Sequence, residues 1–193
     1  MAWTARDFVG GVLALDFANA VGDSTERLAD VDDLLGWVSF AGVANQVATM
    51  RFRSDLHGDR KRAEALLRHA RDVRGILRGV GTAMAQGVEP PKGELIRLRD
   101  VVAEVVKDAE FSPDLNGSYR LSFENGSAEI AILGPVVWSA VEMLGQGQFE
   151  RVKQCPKCGF LFFDRSKNNS RRWCDMAACG NRTKLQNFRE RRR

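Results

Sequence analysis

The sequence predicts an α+β fold, in which a mostly helical N-terminal domain with a small β-hairpin precedes a compact cysteine-rich module. Three observations support this prediction. Residues 66–84 and 95–105 repeat apolar side chains at steps of three and four, which is the spacing of one helix face. Residues 119–123 alternate apolar and polar side chains between two Asn-Gly-Ser turns, which is the pattern of a strand. All four cysteines lie between residues 155 and 179.

The first apolar run, residues 10–21, is short enough that its periodicity does not decide between a strand and a helix. Asp16 and Asn19 are polar side chains within this run. We expect them to make local caps or turn hydrogen bonds, with contact to a bound ligand as the alternative. Trp138, further along the chain, is expected in the core, with a place in a ligand pocket as the alternative.

The helices of the N-terminal domain follow from apolar periodicity and from start and stop signals. An acidic cluster at 30–33 predicts a helix start, and a further short helix is expected over 43–52. The 66–84 and 95–105 stripes predict two long helices that pack together across a Pro-Pro break. Residues 128–144 predict a last helix. The arginines that lie off the 66–84 stripe, and that we expect to form a solvated face, are Arg68, Arg71, Arg74 and Arg78.

The hairpin of this domain is expected to pair residues 111–115 with residues 119–123. Gly145-Gln-Gly147 then ends the last helix, so we place the domain boundary there, with a helical domain at 1–147 and a separate module at 148–193. No Gly-rich phosphate loop, nucleophile elbow or His-carboxylate pair occurs in 1–147, so we expect no enzyme. A sensor or dimerisation domain is the preferred interpretation, with a small-molecule effector and a homodimer as expected partners.

The four cysteines form two close pairs, C-x2-C at Cys155 and Cys158 and C-x4-C at Cys174 and Cys179. Two short pairs joined by a longer loop let one small unit close a tetrahedron around a metal ion. We therefore expect one structural zinc ion bound by all four thiolates.

Disulfides, a redox pair and chance clustering of unrelated cysteines are the alternatives to zinc, and a catalytic zinc is the alternative to a structural one. Residues 1–7 contain no apolar run, so we expect no signal peptide and a cytoplasmic protein with reduced thiols. A redox CxxC pair would leave the second pair of cysteines unexplained. A catalytic zinc would need an open position and usually a His ligand, but His57 and His69 lie far upstream. No apolar run approaches 18 residues, so no membrane span is expected.

Around these cysteines the sequence predicts a treble-clef-like finger. The first pair predicts a tight knuckle, because Pro156 and Gly159 flank its turn. Phe160, Phe162 and the Arg172–Trp173 end of the loop between the pairs predict a short hairpin. The stretch after the second pair is rich in helix formers and is expected to be a ligand-bearing helix.

The finger is strongly basic. Residues 151–193 contain 13 Lys or Arg and three acidic residues, a net charge of +10, whereas the first 150 residues contain 16 basic and 22 acidic residues, a net charge of −6. This density of positive charge predicts binding to a phosphate backbone, preferably that of duplex DNA. RNA, an acidic protein partner and a solvated tail are the alternatives. The expected nucleic-acid contacts are Arg171, Arg172, Asn181, Arg182, Lys184, Arg189, Arg191, Arg192 and Arg193.

Two stretches of the finger and two of the N-terminal domain resemble a known family. Arg171-Arg-Trp-Cys174 and Cys179-Gly-Asn-Arg182 resemble the signature of the CGNR zinc finger, and Phe163–Ser166 fits its hairpin. Residues 10–19 and Leu34-Leu-Gly-Trp37 resemble the ABATE domain, which precedes this finger in bacterial proteins described as stress-induced transcription regulators. The resemblance implies DNA binding by the finger. Asn181 and Arg182 are then candidates for contacts to base edges.

Overall fold

The computed structural model describes residues 2–21, 26–113 and 116–190, and the backbone alone for 185–189. The fold is 59% helical with two small antiparallel sheets among the described residues, which confirms the predicted α+β class. The helices and strands are, in chain order, α1 (Leu13–Ala18), α2 (Val31–Phe40), α3 (Gln46–Gly58), α4 (Arg60–Ala85), α5 (Lys92–Lys107), β1 (Glu110–Pro113), β2 (Tyr119–Ser122), α6 (Ala128–Gly145), β3 (Val152–Gln154), β4 (Leu161–Phe163) and α7 (Asn181–Glu190).

Helix α4 is the central element of the N-terminal domain. Asp59 caps its start by accepting a hydrogen bond from the N–H of Arg62 at 3.1 Å. Its buried stripe, which includes Leu66, Val73 and Val80, packs against α1, α2, α3, α5 and α6. The two long helices predicted from the sequence, α4 and α5, are therefore confirmed and pack against each other.

Residues 10–21, whose periodicity did not decide between a strand and a helix, are helical at their centre. Helix α1 buries four of its six residues, and it packs against α4, α6 and β4. A helix this short with a side chain buried on nearly every face shows neither a clear 3.6-residue nor a 2-residue period. Because α1 is packed between three other elements, most of its side chains must be apolar.

The predicted solvated face of α4 is wrong for three of its arginines. Arg78 is half-buried and donates to the carbonyl oxygen of Gly159 in the finger at 3.4 Å. Arg71 donates to the carbonyl oxygen of Leu28 at 2.7 Å, and Arg74 donates to that of Ala20 at 2.6 Å. Arg74 also forms a bidentate ion pair with Glu26. The guanidinium groups of Arg71 and Arg74 thus donate to carbonyl oxygens in the loop before α2. Carbonyl oxygens in a loop lack the regular hydrogen bonds of a helix or sheet, so they need other donors.

The hairpin of the N-terminal domain is confirmed, because β1 and β2 pair antiparallel with Phe111 opposite Leu121. Helix α6 follows, with Ser127 accepting a hydrogen bond from the N–H of Ile130 at 3.3 Å as its cap. By length and composition α6 is apolar enough to cross a membrane. In the fold ten of its 18 residues are buried, and Leu133 and Val137 lie fully buried in the main core.

In the finger, the predicted hairpin exists, but its strands are different. Strands β3 and β4 flank the first cysteine pair and pair antiparallel, with Lys153 opposite Phe162. Arg172 and Trp173 lie in irregular backbone. The knuckle thus occupies the turn of the hairpin, so the strands must come directly before and after it.

Strand β4 contributes to two cores at once, because successive side chains of a strand point to opposite faces. Leu161 and Phe163 belong to the main core, together with Val152 of β3. Phe162, between them, belongs to the small core around the cysteines. The finger hairpin therefore packs directly on α1 and α4.

Candidate metal centre and nucleic-acid interface

The first cysteine pair lies in a tight turn closed by backbone hydrogen bonds. The N–H of Gly159 donates to the carbonyl oxygen of Cys155, and the N–H of Cys155 donates to that of Phe160, both at 2.8 Å. Gly159 has a φ of +73°, in the left-handed region where a side chain would be strained. This turn aims Cys155 and Cys158 toward the same point.

The second pair lies at the start of the last helix. Asp175 accepts a hydrogen bond from the N–H of Ala178 at 2.5 Å and so caps a wide helical turn over Met176–Gly180. Cys179 lies within this turn, which continues into α7. The predicted ligand-bearing helix is thus present, and its first turn carries the fourth cysteine.

The four sulfur atoms converge, with all Sγ atoms within 4.8 Å of one another. The Sγ of Cys174 lies 3.4 Å from that of Cys158 and 3.7 Å from that of Cys179. Four thiolates about 2.3 Å from a central zinc ion would lie about 3.8 Å apart at the corners of a tetrahedron. All four thiols are free. The donor set and its spacing therefore fit one structural zinc ion held by Cys155, Cys158, Cys174 and Cys179.

The surroundings of the sulfurs differ. Burial alone would raise the pKa of Cys155, but the backbone N–H groups of Cys174, Cys158 and Lys157 point at its sulfur and lower the pKa to about 7. Burial, and then the neighbouring Cys158, raise the pKa of Cys179 to about 11. A divalent cation would offset this by stabilising all four thiolates, so zinc binding releases protons.

Aromatic side chains cover the sulfur cluster. Phe162 is fully buried against the cysteines, and Phe160, Trp173 and Val9 pack around them while half-buried. A Cβ on Gly180 would clash with the sulfur of Met176 and would lie 3.2 Å from a ring carbon of Trp173, so this glycine lets both side chains pack beside the last ligand. The aromatic residues of the finger therefore shield the metal centre.

Arg171, which the sequence placed at the nucleic-acid interface, has its polar atoms engaged within the finger. Its Nε donates to the carbonyl oxygen of Trp173 at 2.9 Å, and its Nη2 donates to that of Cys174. The guanidinium also lies 4.8 Å above the ring of Phe162. These contacts fix the backbone on both sides of the third cysteine.

The other predicted contact residues lie on the surface where they are described. Asn181, Arg182 and Lys184 are exposed on the first turn of α7. Arg172 is exposed and lies over the ring of Trp173, 5.0 Å from its centroid. The predicted residues that fall outside the described side chains are Arg189, Arg191, Arg192 and Arg193.

The three candidate ligand residues of the N-terminal domain are not brought together at a described groove. The local cap predicted for Asn19 is wrong, because its buried side chain bonds to the backbone of Leu161 in β4, 142 positions away. Asp16 accepts a hydrogen bond from the N–H of Gly10 at 2.7 Å, and burial raises its pKa to about 6. Trp138 packs, half-buried, against the main core.

The expectation that residues 1–147 contain no His-carboxylate pair is wrong, since His69 Nδ1 lies 2.5 Å from a carboxylate oxygen of Glu129 and His57 Nε2 lies 3.1 Å from one of Asp32.

Sequence reasoning missed Lys153 and Asp164. The ammonium group of Lys153 lies 2.7 Å from the carboxylate of Asp164, whose side chain has no exposed surface. A signal was available, since Asp164 is one of only three acidic residues in the basic segment 151–193.

The fold and the metal centre define a zinc-finger protein whose finger packs on a helical domain. Comparison with family models identifies the two parts. The ABATE model, described as "Putative stress-induced transcription regulator", matches residues 11–147, and the CGNR zinc finger model matches residues 151–192. The chain belongs to the ABATE family and carries a C-terminal CGNR zinc finger. Neither model describes an enzyme. Among curated proteins, none matches the chain in sequence.

Proposed function

We propose that the protein is a DNA-binding transcription regulator that acts in the cytoplasm without catalysing a reaction, and that its finger binds the DNA. The observation that supports the proposal is the distribution of charge. The segment 151–193 has a net charge of +10 and the preceding 150 residues a net charge of −6. An acidic domain is repelled by DNA, so the finger is the part of the chain that phosphates attract.

Not all of the positive charge in the finger is available to a partner. Arg151, Lys153, Arg165 and Arg171 donate to oxygen atoms within the protein. Arg172, Arg182 and Lys184 are exposed and form no ion pair within the described part of the chain. These three side chains are the ones that the proposal assigns to backbone phosphates.

The proposal is tested by measuring binding of the full-length, zinc-loaded protein to labelled duplex DNA as salt is raised. We expect the logarithm of the affinity to fall linearly with the logarithm of salt concentration, because each neutralised phosphate releases counterions. The double variant Arg182→Ala/Lys184→Ala should weaken binding and reduce this slope by about 2. The matched control is Lys61→Ala/Arg62→Ala, which removes the same charge from the exposed surface of α4 and should leave the slope unchanged.

Two other outcomes would replace the proposal. Preferential competition by single-stranded or structured RNA would make the protein an RNA-binding protein. Absence of affinity for either nucleic acid at low salt, with one zinc ion still bound, would favour an acidic protein as the partner of the finger.

A small-molecule effector is the second part of the proposal, and a groove on the N-terminal domain supports it. The groove has a volume of about 690 Å³ and runs between the N-terminal segment and helices α2 and α3. Trp3, Phe40 and Met50 supply apolar surface, while Asp32 and Arg53 supply charges. A thermal-shift screen of small fragments tests this groove. Fragments that bind in it should raise the melting temperature of the wild type but not that of Phe40→Ala. Phe111→Ala, on the distant hairpin, should respond to them as the wild type does.

A further inference from the structure

The loop from Asp164 to Arg171, here called the 164–171 loop, joins β4 to the third cysteine and is held by a buried charge. Asp164 is fully buried, and burying a carboxylate is unfavourable unless its oxygens are paired. Its Oδ2 accepts from the ammonium of Lys153 and from the N–H of Arg171, both at 2.7 Å. Its Oδ1 accepts from the N–H of Ser166 at 2.8 Å. Both oxygens are thus satisfied.

The ammonium group of Lys153 also fixes the far end of the loop. It donates to the carbonyl oxygen of Asn169 at 2.6 Å and to that of Arg171 at 3.1 Å. Burial alone would raise the pKa of Asp164, but the bonds from Lys153 and Ser166 hold it well below its usual range. The charged form of Asp164 is therefore favoured.

The backbone of the loop is fixed at further points. Arg151 donates to the carbonyl oxygens of Asp164 and Ser166, at 2.9 and 3.0 Å. Asn169 donates through its side chain to the carbonyl oxygen of Glu150 at 3.1 Å, and its φ is +48°. Asn is one of the few residues other than glycine that adopt this left-handed region readily, and the bond to Glu150 fixes the side chain of Asn169 there.

The tip of this fixed loop has free polar groups. Lys167 and Asn168 are exposed, and their side chains form no hydrogen bond or ion pair within the described residues. The side-chain contacts that hold the loop come from other residues, among them Lys153, Arg151 and Asn169. Because the backbone of the loop is already fixed, binding through the tip costs little backbone entropy, and a preorganised backbone holds the geometry that specific recognition needs.

We propose that Lys167 and Asn168 at the tip of the 164–171 loop read base edges of duplex DNA, while the exposed cations of α7 bind phosphates. This inference rests on the proposed DNA binding. An Asn side chain can pair with N6 and N7 of adenine, and a Lys ammonium with O6 and N7 of guanine, in the major groove. Phosphate contacts position a protein on the duplex without reading sequence, so a second element is needed for specificity.

The test uses the full-length, zinc-loaded protein and a duplex selected from a randomised library. The quantity measured is the ratio of Kd for a scrambled duplex to Kd for the selected duplex at one salt concentration. Asn168→Ala should lower this ratio by about 5- to 150-fold and leave the Kd for scrambled DNA within about twofold. Lys167→Ala should lower the ratio similarly. Asn181→Ala, the matched change on α7, should leave the ratio intact.

Three outcomes overturn the inference, and they are distinguishable. Unchanged ratios in both tip variants, with loss of the ratio in Asn181→Ala, would assign base reading to α7. Binding without any sequence preference would overturn the inference and leave the proposed function standing. Absence of wild-type binding to any duplex would overturn both.

A further variant tests the rigidity of the loop. Asn169→Gly keeps the left-handed backbone accessible but removes the bond to Glu150. Zinc content and affinity for scrambled DNA should be unchanged, and the Kd ratio should fall at least about threefold, since a looser loop orders less favourably. An unchanged ratio would show that a fixed loop is not needed for reading.

Discussion

The side chain of Asn19 pairs with the backbone of Leu161 as a neighbouring strand would. Its Nδ2 donates to the carbonyl oxygen of Leu161, and its Oδ1 accepts from the N–H of Leu161, both at 2.8 Å. Both residues are buried, and 142 positions separate them. One amide group at the end of α1 thus satisfies both backbone groups at the start of β4 and joins the helical domain to the finger.

Replacing Asn19 should therefore be costly. In Asn19→Ala the buried N–H and C=O of Leu161 lose their partners, and each unsatisfied group costs about 1–3 kcal/mol. We expect the free energy of unfolding to fall by about 2–5 kcal/mol, measured by urea denaturation of the zinc-loaded protein. Asn168→Ala is the control, because its side chain is exposed, and it should change stability by less than about 0.5 kcal/mol. Equal midpoints for the two variants would contradict the role of Asn19.

Removing zinc should loosen α1 as well as the finger. Without the metal, the turn between β3 and β4 loses its cross-link, so we expect Leu161 and Phe163 to pack less firmly in the main core, where a buried side chain of this size stabilises by about 1.5–3 kcal/mol. We expect chelation to lower hydrogen-exchange protection in α1 and in the β4-facing part of α4, while the β1–β2 hairpin is unaffected. The same chelator should cause no further loss in Cys174→Ser. Full protection of α1 after zinc removal would rule out this coupling.

Two glycines of α4 should respond oppositely to the same substitution. A Cβ on Gly81 would lie 2.8 Å from a methyl carbon of Leu161 and 3.2 Å from one of Leu15, whereas a Cβ on Gly75 would meet nothing within 4 Å. Gly81→Ala should destabilise by about 1–2 kcal/mol, because overpacking outweighs the gain in helix propensity. Gly75→Ala should stabilise by about 0.5–1 kcal/mol. Thermal unfolding of both variants measures the difference, and changes of the same sign would refute it.

The ionisation of Asp16 should make stability depend on pH. Its pKa is raised from 3.8 to about 6 by burial, partly offset by the bond from Gly10, so the folded state holds a proton that the unfolded state releases. This stabilisation is complete below pH 4 and is lost as pH rises to 6. Asp16→Asn keeps an oxygen acceptor and removes the ionisation, so it should be more stable than wild type by about 1–3 kcal/mol at pH 7.5.

The measurement for Asp16 is a series of denaturant titrations between pH 4 and 8. The advantage of Asp16→Asn should shrink below pH 6 and disappear near pH 4. Asp55→Asn, at an exposed position of α3, should show no such trend. An advantage independent of pH would mean that ionisation of Asp16 is not its cause.

The sequence was sufficient to predict the helices, strands and turns that depend on residues close together in the chain. The stripe from Leu66 to Met84 predicted α4, and two Asn-Gly-Ser turns predicted the hairpin, because each depends on neighbours a few residues away. The spacing of the cysteines predicted a metal cluster for the same reason. A resemblance to the ABATE domain and the CGNR finger supplied the order of the two parts, and the family models confirm it.

Contacts between distant parts of the chain could not be predicted in this way. Arg74 looks like a surface residue by its place off the apolar stripe, yet it binds the carbonyl oxygen of Ala20. Arg171 looks like a phosphate ligand by its charge, yet it bonds to the backbone beside Cys174. Each of these arginines binds a backbone oxygen, which carries no mark in the sequence, and the Glu26 that also pairs with Arg74 lies 48 positions away.

Because the side chains of β4 pack into two cores, the finger cannot be moved to another protein on its own. A gene fusion that moved residues 148–193 to another protein would carry Leu161 and Phe163 with no apolar surface to cover them, and Arg165 would lack the carbonyl oxygen of Gly11. Such a chimera should be insoluble unless the receiving domain supplies an equivalent of α1. Recombination would therefore have to transfer Gly11 and α1 together with the finger, although helices α2 to α6 lie between α1 and the finger in the sequence.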